Sequence, residues 1–82
     1  MADPRDPHDV ALGAAIRQLR KEAGLTQWQL AESASVPVPE LRQIEHGEVD
    51  ADWGTVRHLA SGMKVSLSDV FRLTEVLGEG DD

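Results

Sequence analysis

Eighty-two residues are enough for one ordinary domain, and a chain this short buries only around 60% of the surface its unfolded state exposes, so one modest core is expected. The absence of cysteine excludes disulfides and thiolate metal sites as reinforcement, and it suits a reducing, cytoplasmic setting. Fifteen Asp and Glu against eight Lys and Arg leave a net charge of −7, which excludes attraction of phosphate by bulk charge and requires any nucleic-acid surface to be built locally.

Residues 1–8 read as a flexible acidic, proline-containing arm, residues 9–77 as one helical domain and residues 78–82 as a flexible acidic tail. No apolar run approaches the roughly 20 residues that cross a bilayer, and the acidic start is unlike a signal peptide. In the first helix Leu12, Ile16, Leu19 and Ala23 recur at helical spacing with Ala15 beside them, and Gly24 ends it as a left-handed cap. Thr26 with Gln29 makes a capping box for a second helix starting at Gln27, whose narrow apolar side is Leu30, Ala31 and Ala34.

Val36-Pro37-Val38-Pro39 is expected to be extended, because each proline biases its predecessor out of the α region, so a third helix is predicted to begin at Pro39. Leu41 and Ile44 are its inward pair, and Gly47 stops it. Asp52 is placed to cap a fourth helix with the apolar stripe Trp53, Val56, Leu59, Ala60 and Met63. Ser66 with Asp69 opens a fifth, with Leu67, Val70 and Phe71 inside. The expected fold is all-α, a compact bundle of five short helices.

With these elements in order, Leu12 to Leu73 resembles the Cro and lambda repressor type of helix-turn-helix domain, the XRE family, without a gap. The residues that carry the resemblance are Ile16-Arg17, Gly24-Leu25-Thr26-Gln27, Leu30-Ala31, Ile44-Glu45-His46-Gly47, Leu59-Ala60 and Val65-Ser66-Leu67. The resemblance implies that the third helix enters the major groove of double-stranded operator DNA and that the protein is a transcriptional regulator, expected to be a repressor. It implies Gln27 as a phosphate anchor. Trp28, at the second position of the second helix and outside its apolar stripe, is expected either to border DNA or a partner or to pack partly on the first helix. The resemblance also implies Val38, Glu40, Arg42 and Gln43 facing bases, and His46 near the backbone. It further implies an ion pair of Arg17 with Glu45 that ties the first helix to the third.

Departures from the resemblance are equally specific. Ser35 stands where glycine is usual and must either accept a left-handed backbone or alter the turn. Pro37 stands in place of a Ser or Thr cap, and Glu40, Glu48, Asp50 and Asp52 bring negative charge to the DNA-facing region. An acidic protein-docking module that keeps the fold without binding DNA is therefore the alternative. Leu73, Val76 and Leu77 drift off the inner face of the fifth helix, which predicts a homodimer interface there, with fraying of the last turn as the competing explanation. His8, His46 and His58 lack metal-ligand spacing, and no nucleophile, base and oxyanion arrangement is discernible, so no metal, cofactor or enzymatic activity is expected.

Overall fold

The structure, a computed structural model, describes residues 3–79. Among them are five helices and no strand: α1 (Pro7–Glu22), α2 (Gln27–Ala34), α3 (Val38–Glu45), α4 (Trp53–Met63) and α5 (Leu67–Glu79). This is the expected all-α bundle. Met1, Ala2 and Gly80 to Asp82, parts of the arm and tail read from the sequence, lie outside the described residues.

Local chemistry explains most helix boundaries. The Thr26 hydroxyl accepts from the Gln29 backbone N–H while the Gln29 side chain accepts from Thr26 N–H, so two otherwise orphaned donors are satisfied. Ser66 and Asp69 repeat the device at α5, and the Asp52 carboxylate accepts from Thr55 N–H at 2.7 Å to start α4. That hydrogen bond favours the charged form and holds the Asp52 carboxyl below its ordinary pKa. Gly24 and Gly47 end α1 and α3 with φ of 74° and 70°. Ser35 also takes the left-handed backbone, at φ 57° and ψ 40°, and Val36 N–H reaches back to the Ala31 carbonyl to close α2.

Two helix starts differ from expectation. α1 begins at Pro7 rather than Asp9, because extended Asp6 accepts from His8 N–H and proline at the first helical position gives up a donor that had no partner. α3 begins at Val38 rather than Pro39, with Pro37 as the flanking extended residue and no side-chain cap. Pro39 sits in the first turn, where its missing N–H is harmless, and Leu41 N–H bonds the Pro37 carbonyl. Val38 is half-buried against the core, and that packing overrides the bias imposed by the following proline.

Leu12, Ile16, Leu30, Leu41, Ile44, Val56, Leu59, Met63 and Val70 meet in one core. The fourth-helix stripe enters it except at its first member. Trp53, expected inside, is 61% exposed and lies flat against Phe71 of α5, ring centroids 5.2 Å apart. It occupies the first turn of α4, beyond the edge of the core, and covers Phe71 instead of filling the interior. Glycine allows α1 to approach α3 at one point: a Cβ on Gly13 would overlap the Ile44 carbonyl oxygen and lie 2.9 Å from that of Glu45.

Candidate nucleic-acid interface

α2, the left-handed turn at Ser35 and α3 make the helix-turn-helix, and one buried carboxylate sets the position of its two ends. Glu45, in the last turn of α3, accepts from Arg20 Nε at 2.7 Å, from Arg20 Nη2 at 3.1 Å and from Gln27 Nε2 at 3.0 Å. Arg20 Nη1 donates to the Leu25 carbonyl at 2.9 Å. The side chains of Arg20 and Glu45 are 10% and 1% exposed. Their charges are therefore opposed at close range in a poorly hydrated place, and the fork geometry satisfies both carboxylate oxygens. α1, the Leu25 loop, the first residue of α2 and the end of α3 are thus pinned at one point.

This corrects the expected pairing, since Arg17 is exposed and Arg20 is the partner of Glu45. The physical reason was present in the spacing: Leu12, Ile16 and Arg20 are four apart and share the buried stripe, whereas Arg17 lies one residue off it. Arg20 occupies the inner position one turn after Ile16; Ala23, read as the last inner residue, is the exposed C-terminal cap.

The residues proposed from sequence to face DNA separate into two groups. Gln27, Trp28, Val38 and Arg42 line one shallow cleft between the start of α2 and α3, together with Leu25 and Thr26. Gln27 is half-buried with its amide held by Glu45, Trp28 is 63% exposed, and Arg42 projects into solvent. Among the described residues the Arg42 guanidinium has no ion-pair partner. Glu40 and Gln43 line a different recess, on the other flank of α3, with Asp50, Asp52 and Thr55. α3 therefore presents a cation with apolar neighbours on one flank and carboxylates on the other.

His46 follows α3 as its cap, exposed, with Nδ1 3.4 Å from Glu48 Oε1. Its carbonyl accepts from Arg5 Nη1 at 2.8 Å, which brings the N-terminal segment to the end of α3. Arg5 also grips Asp3, and that hydrogen-bonded pairing pulls the Asp3 carboxyl down to about 2. Nearby, burial together with the charges of Asp50 and Asp6 raises the pKa of Asp9. Sequence reasoning missed Arg5, Arg20 and the close approach at Gly13. Of these, only Arg20 left a periodic signal, while Gly13 depends on how α1 crosses α3 and Arg5 on where the N-terminal segment lies.

A family model described as a helix-turn-helix domain matches residues 11–73. The competence pilus inhibition repressor of Acinetobacter baylyi is 33% identical over 64 residues, which is 78% of this chain and 58% of that protein. The HTH-type transcriptional regulator DdrOP3 of Deinococcus deserti is 31% identical over 64 residues, 78% of this chain and 50% of the relative. The chain thus spans only about half the length of these curated relatives. Among solved structures, the clp gene regulator ClgR from Corynebacterium glutamicum superposes with a TM-score of 0.86 at 26% identity, covering 93% of this chain and 81% of that one.

Proposed function

The chain belongs to the helix-turn-helix domain family, and on that premise we propose that it is a sequence-specific DNA-binding regulator of transcription, acting as a repressor from the cytoplasm. The observation that carries this reading is the cleft shared by α2 and α3. There Arg42, on the helix that would enter the major groove, has no ion-pair partner among the described residues and shares the cleft with Val38 of α3 and Trp28 of α2. The role is binding rather than chemistry. Local charge supports this reading, because the carboxylates of Glu40, Asp50 and Asp52 line a recess on the other flank of α3 from Arg42. Among the described residues no helix is long and apolar enough to cross a membrane. The relatives are regulators by name, which disfavours the alternative of an acidic protein-docking module.

Titration with random duplex DNA at ~50 mM salt, then at rising salt, tests the reading, since a phosphate binder releases counterions and loses affinity steeply. Arg42→Ala is expected to weaken binding to a selected site by roughly 10- to 100-fold and to relax sequence preference, as loss of a bidentate base contact does. Absence of binding at the lowest salt would overturn the proposal. Gln27→Ala is expected to weaken all sequences about equally.

We further propose that the regulator works as a homodimer through α5. Leu73 and Leu77 are half-buried and Val76 is 56% exposed, leaving part of an apolar flank uncovered by the core. A two-fold pair would set two α3 helices about one DNA turn apart. Sedimentation at high micromolar concentration is expected to give a dimer for the wild type and a monomer for Leu73→Glu with Leu77→Glu. A monomeric wild type would sink the idea.

A further inference from the structure

Val38 and Arg42 are four residues apart and so stand one above the other on α3. Side chains on a helix lean towards its N-terminus, which carries the Arg42 stem back over the turn that bears Val38. The inner side of Val38 packs on the core, its outer side lines the cleft, and Trp28 lines the same cleft from α2. Trp28 is 63% exposed, so much of its indole surface is accessible to a ligand lying in the cleft. The cleft therefore joins a planar guanidinium, without an ion-pair partner among the described residues, to the apolar surfaces of Val38 and Trp28.

Two adjacent nucleotides offer the complementary surface. The guanidinium fork fits O6 and N7 of guanine, and the C5-methyl of thymine is the apolar group that projects into the major groove. Neighbouring bases on a strand are about 3.4 Å apart, so a methyl group beside the bound guanine lies within contact of the guanidinium plane. Arginine's flat, weakly hydrated face accepts such contact, where an ammonium would not.

We propose that the α2–α3 cleft reads a guanine together with the 5-methyl group of the pyrimidine next to it, with Arg42 on the guanine and Val38 and Trp28 around the methyl. The protein then distinguishes thymine from uracil, and 5-methylcytosine from cytosine, at one position of its site. This rests on the DNA-binding reading above. It makes binding responsive to methylation of a cytosine beside that guanine, a property that the guanine contact alone would not confer.

The test starts from sites enriched out of a random duplex pool by the full-length wild type. At the pyrimidine beside the guanine, four duplexes are compared: thymine, deoxyuridine, cytosine and 5-methylcytosine, each with its Watson–Crick partner. Loss of the methyl group is expected to weaken binding about 4-fold, and its addition to cytosine to strengthen binding by about the same factor, as burial of one such group implies. Val38→Ala and Trp28→Ala should shrink the methyl effect while keeping the guanine preference, whereas Arg42→Ala should lose the guanine preference and, with the guanidinium face, part of the methyl effect. Equal wild-type binding of the thymine and deoxyuridine forms overturns the proposal whatever the variants do, because that comparison needs no mutant to fold. Enrichment of sites lacking a guanine beside a pyrimidine overturns it too, with the DNA reading intact; enrichment of nothing removes both.

Discussion

Replacing Gly13 with alanine is expected to lower stability by about 3 kcal/mol or more, although the exchange is helix-favouring taken by itself. In an exposed helix interior it would gain about 1 kcal/mol. Here the added carbon meets the carbonyl oxygens of Ile44 and Glu45, and both are backbone atoms that cannot rotate away. α3 must retreat, and it takes with it Leu41 and Ile44, which are buried against α1. Overpacking of this kind commonly costs 1–3 kcal/mol and occasionally more; loss of the apolar contacts behind it adds to that. Each kcal/mol lowers the melting temperature of a domain this small by roughly 4–8 °C. Thermal unfolding followed by circular dichroism should show a fall above about 10 °C. Gly54→Ala on α4 is the control, because its nearest neighbour would be Asp52 Oδ1 at 3.6 Å, and that variant should be unharmed. A Gly13→Ala protein as stable as the wild type would mean that α1 and α3 do not approach as described.

Glu45→Ala is expected to cost about 3–5 kcal/mol, because it strands the buried Arg20 guanidinium without its counter-charge. It also removes the acceptor of the Gln27 amide, so the start of α2 and the end of α3 lose their common tether. Against a total stability of 5–15 kcal/mol this is a large fraction. Urea denaturation is the suitable measurement, with Arg17→Ala as the comparison: an exposed side chain should change stability by no more than about 0.5 kcal/mol. The joint replacement Arg20→Met, Glu45→Leu should recover most of the loss, since an apolar pair of similar volume leaves no buried charge alone. If Arg17→Ala proves the more damaging of the two single changes to alanine, the assignment of the ion pair is wrong.

Gly13 and Glu45 bear on function through α3. The cleft that holds Trp28, Val38 and Arg42 exists only because α3 lies at a set angle to α2, and Gly13 and Glu45 hold α3 from its buried side. Damage at either position should therefore reduce DNA binding without touching any residue in the cleft. Arg42→Ala should do the opposite, reducing binding with little change in stability.

The helices and most of their ends are legible in the order of residues. Thr26 with Gln29, Asp52, and Ser66 with Asp69 act on backbone groups within three residues, and Gly24 and Gly47 act on their own backbone, so their effects are legible without knowing the fold. Apolar spacing likewise marked Leu12, Ile16, Leu41, Ile44, Val56, Leu59, Met63 and Val70 as core. Packing between helices selects which arginine meets Glu45, draws Val38 into α3 despite Pro39, leaves Trp53 outside on Phe71, and makes Gly13 a point of close approach. It alone divides α3 into an Arg42 flank and a carboxylate flank. Each of these depends on the distance and angle between helices far apart in sequence, quantities to which periodicity and capping are blind.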